Sequence, residues 1–102
     1  MRLIDIKTLI EFWNTHADSR ESLTRWYQTA EKANWRNIKQ VRHVYPHADA
    51  VAVKSGRTAT VFNIMGGNYR LITAIHYNRQ VVYLMAVLTH KEYSTDKWKK
   101  RL

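Results

Sequence analysis

The sequence predicts an α+β domain in which helices come first and then pack on one face of an antiparallel sheet of about four strands. Three observations carry this. From residue 60 to 93 the chain reads TVFNIMGGNYRLITAIHYNRQVVYLMAVLTHKEY. Its β-branched and aromatic runs Thr60 to Met65, Tyr69 to Tyr77 and Val81 to Leu88 are separated only by Gly66-Gly67-Asn68 and Asn78-Arg79-Gln80. That is the pattern of a three-strand meander with tight turns, in which Gly and Asn supply the positive φ. Before it, the first 45 residues repeat apolar side chains at helical spacing. With 102 residues and 45% hydrophobic content, there is room for one core, so residues 1–102 form a single domain.

The elements follow in order. Arg2-Leu3-Ile4 is either an edge strand of the later sheet or the lead-in to a helix, and Asp5 is placed to cap that helix. Leu9, Ile10, Phe12 and Trp13 share one helical side and read as core. Ala17-Asp18-Ser19 interrupts the pattern, and Asp18 or Ser19 can cap a second helix whose buried stripe is Leu23, Trp26, Tyr27 and Ala30. So short a link predicts a helical hairpin. Trp35 is expected beneath it. Asn34 to Tyr45 is a basic helical segment stopped by Pro46. Ala48 to Val53 then reads as a strand and Lys54 to Arg57 as a turn, with Thr58 to Met65 as the hairpin partner. Val81 to Leu88 has no polar position and is expected to be a central strand covered on both faces. Ser94-Thr95-Asp96 can cap a short final segment, KWKKRL.

Charge narrows the function. Seventeen Lys and Arg against eight Asp and Glu give a net charge of +9, which points to a polyanionic partner, with nucleic acid ahead of an acidic protein. The absence of cysteine excludes disulfides, thiolate metal sites and a cysteine nucleophile. No apolar run approaches the roughly 20 residues of a membrane span. The first residues do not form a signal peptide, so a cytoplasmic location is expected.

Hairpin pairing around Asn78-Arg79 sets Leu88 and Thr89 beside Tyr69 and Arg70. Arg70 shares a strand face with Ile72, Ala74 and His76, and an arginine there needs a partner or a ligand. The polar cluster Thr89-His90-Lys91-Glu92-Tyr93 follows the last strand. Together Arg70, His90, Lys91 and Tyr93 suit RNA cleavage by the 2′-hydroxyl, which needs a base, an acid and cations around the phosphate. His90 can carry a proton, Arg70 or Lys91 can hold charge, and Tyr93 can stack on a base or donate a proton. Lys54, Arg57, Arg36, Lys39, Lys97 and Lys99 are the candidate RNA contacts. Scattered histidines and few acids disfavour a metal site, and no glycine-rich loop opens a helix; no metal or cofactor is expected.

Phe62-Asn63-Ile64, the Gly66-to-Asn68 turn, Tyr69-Arg70-Leu71-Ile72 and Thr89-His90-Lys91-Glu92-Tyr93 in this order resemble the HigB toxins of the RelE/ParE superfamily. The resemblance covers the chain from about Trp35 onward and the N-terminal helices by layout. It implies a RelE-like fold: two N-terminal helices on a curved antiparallel sheet, and a short C-terminal helix. It also implies a toxin of a type II toxin–antitoxin pair. Such a toxin is a ribosome-dependent endoribonuclease (an mRNA interferase) acting on mRNA and neutralised by a HigA-type antitoxin in a hetero-oligomeric complex. By position, Arg70 matches the arginine at the scissile phosphate, His90 and Lys91 the basic positions after the last strand, and Tyr93 the motif's aromatic. Some relatives use a tyrosine nearer the C-terminus, where this chain has Trp98. The alternative is a basic nucleic-acid-binding module, or a gyrase-directed toxin of the ParE branch, without ribonuclease activity.

Overall fold

A computed structural model describes residues 1–102. A five-stranded sheet runs in the order β1-β5-β4-β3-β2, with strands β1 (Arg2–Ile4), β2 (Asp49–Ala52), β3 (Thr58–Ile64), β4 (Tyr69–His76) and β5 (Val81–Thr89). The fifth strand is β1. It pairs parallel with β5, Leu3 opposite Val82, while the other pairings are antiparallel. Of the two readings of Arg2-Leu3-Ile4, the edge strand is therefore the one adopted.

Helices α1 (Lys7–Thr15), α2 (Arg20–Lys32) and α3 (Ile38–Val44) cover one face. Their buried stripes, Leu9, Leu23, Trp26, Ala30 and Val41, join Phe62, Ile64, Leu71, Val82, Leu84 and Val87 of the sheet in the main core. Trp35 stacks over Phe62, with ring centroids 6.2 Å apart. On the opposite, outer face a smaller cluster forms from Val53, Ala59, Val61 and Ile72 under Trp98, which is only 3% exposed. Trp98 belongs to a 3-10 turn, Lys97–Lys100, that crosses this face and ties to the β2–β3 turn through the Lys54 N–H to Lys99 carbonyl bond of 3.1 Å.

Several local expectations change. Asp18 and Ser19 do not cap α2, because Ala17–Ser19 is a 3-10 turn already in helical conformation; the Ser19 hydroxyl donates to the His16 carbonyl instead. Asp5 does accept from the Lys7 N–H, at 3.1 Å. In the turns on either side of β4 the positive-φ residues are Met65, Gly66, Gly67 and Gln80, whereas Asn68 is right-handed at φ −63. Gln80 is held there by its own side chain, whose Nε2 donates to the Trp35 and Tyr77 carbonyls.

β5 is interior but not covered on both faces. Its register to β4 slips between Ile72 and Thr73: Ile72 faces Ala86, Thr73 faces Leu84, and Met85 is left over as a β-bulge. The bulge switches the alternation, so that Val82, Leu84 and Val87 all reach the helix side. The outer side of the first half, Tyr83 and Met85, has no element over it, and Met85 is 42% exposed.

Candidate active site

Arg70 starts where β4 leaves the Met65–Gly67 turn. Its guanidinium folds back over that turn, Nη1 donating to the Gly67 carbonyl. Gly67 permits this. Its φ is +100, and a Cβ there would stand 3.1 Å from Arg70 Nη1. The Arg70 guanidinium carbon lies 5.2 Å from the centroid of the Tyr93 ring, a cation–π contact. The chain's only ion pairs are Arg25 with Glu21 and Lys99 with Asp96, so no carboxylate neutralises Arg70. A half-buried guanidinium bound to a carbonyl and a ring keeps charge and unused donors for an anion.

The polar cluster after β5 is ordered by its own hydrogen bonds. It forms a single helical turn, α4 (His90–Ser94), closed by a capping box: the Thr89 hydroxyl accepts from the Glu92 N–H, and the Glu92 carboxylate accepts from the Thr89 N–H. The signal was present as Thr89-x-x-Glu92. The His90 N–H donates to the Asn68 carbonyl at 3.0 Å, which lays the start of α4 against the turn that holds Arg70. The expected register is observed, Tyr69 opposite Thr89 and Arg70 opposite Leu88. Both His90 and Lys91 side chains are exposed.

Tyr93 closes the group. Its ring stacks on Trp98 at 5.3 Å and 20°, and its carbonyl accepts from the Trp98 indole N–H. Lys99 lies 5.8 Å from the Trp98 ring, so Arg70, Tyr93, Trp98 and Lys99 form a continuous ladder. Burial raises the Tyr93 pKa above its ordinary value and the Asp49 and Asp96 carboxylates add to this, while Arg70 and Lys99 pull the other way. Asp49 and Trp98 are members of this neighbourhood that sequence reasoning did not place; no spacing rule joins β2 or the C-terminal segment to Tyr93.

The candidate RNA contacts divide between the two faces. Lys54, Arg57, Lys97 and Lys99 lie with the outer face, on the β2–β3 turn and the crossing segment that adjoins it. Arg36 and Lys39 are exposed on the segment that leads into α3 and on α3 itself, on the helix side. No three His, Asp or Glu side chains converge anywhere in the chain, and no helix is long and apolar enough to cross a membrane.

Known proteins place the chain among its relatives. The chain is 26% identical over 93 residues to the mRNA interferase toxin HigB of Escherichia coli K12, covering 91% of this chain and 88% of that protein. It shows the same figures against the mRNA interferase HigB of Escherichia coli O157:H7 and that of Shigella flexneri. Residues 19–96, from the turn before α2 to the start of the Lys97–Lys100 turn, match the model of the HigB toxins, the RelE-like toxic component of a toxin–antitoxin system, and the chain belongs to that family.

Proposed function

We propose that this toxin is a ribosome-dependent endoribonuclease that cuts mRNA through attack of the RNA 2′-hydroxyl, without a metal. The observation that carries the reading is Arg70: a half-buried guanidinium with no carboxylate partner, fixed by Gly67 and Tyr93 beside the helical turn that bears His90 and Lys91. In the reaction the 2′-oxygen bonds to phosphorus as the bond to the 5′-oxygen breaks. His90 accepts the 2′ proton, Tyr93 supplies a proton to the departing 5′-oxygen, and Arg70 and Lys91 stabilise charge on the non-bridging oxygens. The product ends are a 2′,3′-cyclic phosphate and a 5′-hydroxyl. Tyr93 is given the acid role because a phenol holds its proton at neutral pH. A HigA-type antitoxin is the partner this reading carries, and the cytoplasm, where mRNA is translated, is the location it requires.

The test is induced expression of the chain and of Arg70→Ala, with transcript ends mapped against reading frames. In-frame cuts that stop when translation is blocked, and that fall at least about a hundredfold in the variant, support the reading; losing a charged contact that stabilises the transition state costs this much. Growth arrest with intact transcripts would replace it with a nucleic-acid-binding or gyrase-directed toxin.

A further inference from the structure

The outer face holds a second feature. Between the β2–β3 turn and the open half of β5 lies a cleft of about 640 Å³, walled by His76, Tyr83 and Met85, with Arg57 and Leu102 among its lining residues and no acidic side chain. His76 and Tyr83 meet edge to face, ring centroids 5.2 Å apart at 75°. Nothing in the chemistry proposed above uses these residues.

We infer that this cleft binds a nucleobase of single-stranded RNA several nucleotides from the cut, with Tyr83 as its stacking surface and Arg57 as its cation. The inference rests on the ribonuclease reading and deepens it. A protein that holds single-stranded RNA does so by stacking unpaired bases on aromatic side chains beside cations. At the Arg70 end the aromatics are already engaged: Tyr93 carries Arg70 and Trp98, and Trp98 is buried. On the same sheet face the alternation Arg70, Ile72, Ala74, His76 leads directly to the cleft, and Tyr83 lies opposite Ala74. Six residues of strand place the two ends about 20 Å apart, with the Lys97–Lys100 turn between them. Charge supports the same occupant: Arg57 is the charged side chain of the lining, no acidic side chain opposes it, and the chain has a net charge of +9. The cleft would thus read a base flanking the cut and not the nucleotides that react.

The test uses uncleavable 2′-O-methyl single strands with a fluorescent end, a dinucleotide and one of about ten nucleotides, within the usual site size of such binders. Tyr83→Ala should weaken the longer strand about tenfold, as the loss of one base stack does, and leave the dinucleotide unchanged. Tyr83→Phe should bind as wild type. Met85→Glu, at an exposed position that does not threaten folding, should reproduce the loss by repelling phosphate. The inference is overturned if Tyr83→Ala and Met85→Glu both bind the longer strand like wild type, or if wild type binds neither strand. It is overturned equally if Met85→Glu spares RNA binding but loosens the antitoxin, which would make the cleft a protein-docking surface. Unchanged affinity in both variants with in-frame cleavage intact would remove the subsite alone. A wild-type chain that binds the longer strand through Tyr83 yet cuts no transcript would remove the ribonuclease reading alone.

Discussion

Arg70 illustrates how much a single glycine can decide. Gly67 both adopts φ +100 and leaves room for the guanidinium that donates to its carbonyl. Gly67→Ala would force a side chain into a backbone conformation that costs about 1–3 kcal/mol and would press on Arg70 Nη1 from 3.1 Å. The expected result is a drop in thermal midpoint of about 4–8 °C for each kcal/mol lost, measured by circular dichroism. Toxicity should fall further than Gly56→Ala causes, since Gly56 also has positive φ but has nothing within 4 Å of its Cβ direction. Equal losses of toxicity in the two variants would show that Gly67 matters only as a turn residue. Arg70 itself was legible from sequence, because a guanidinium in a strand of apolar neighbours stands out. Its escape from any carboxylate was not, since that depends on where all eight acids end up.

At the scale of elements, α4 and β5 divide what sequence can and cannot give. Turn length alone brought the end of β5 beside the start of β4, but the pairing of Arg70 with Leu88 needs the bulge at Met85, without which Arg70 would face Val87. The three helices followed from their apolar stripes. α4 was missed although its capping pair was in view, because a one-turn helix has too few residues for a periodic signal. The parallel β1–β5 contact joins residues about 79 positions apart, and a three-residue strand contains no information about its partner. Removing the cap tests the role of α4. Thr89→Ala should destabilise the protein by about 1 kcal/mol, and it should reduce toxicity more than that loss predicts, because His90 and Lys91 ride on the turn that Thr89 closes. Thr89→Ser, which keeps the hydroxyl acceptor, should restore both; the measurement is urea unfolding beside growth arrest in the same variants.

The whole molecule sets its cations on two sides and holds four of its six tyrosines where their phenols resist ionisation. Tyr45, Tyr77 and Tyr93 have pKa values raised first of all by burial, and Tyr69 by the hydrogen bond its hydroxyl donates to Asp18. A group whose pKa is higher in the folded chain holds its proton longer there than in the unfolded chain. These four tyrosines therefore contribute their full stabilisation below the ordinary tyrosine pKa of about 10, and it is lost as pH rises through the raised values. Unfolding free energy should fall across that alkaline window, and Tyr45→Phe should flatten the fall; an unaltered slope would show that Tyr45 does not contribute to it. The bulge at Met85 has a consequence of another kind, for chain length. β5 contains one residue more than its pairing with β4 requires, and the surplus sits where the alternation switches. Deleting Met85 would leave Val82, Leu84 and Val87 on the helix side and Tyr83, Ala86 and Leu88 on the other, so β5 can lose that residue without exchanging its two faces. Deleting Leu71 from bulge-free β4 would instead turn every residue on one side of the gap over to the wrong face. Along this sheet, then, a strand's tolerance to indels is a property of the bulge rather than of the loops at its ends.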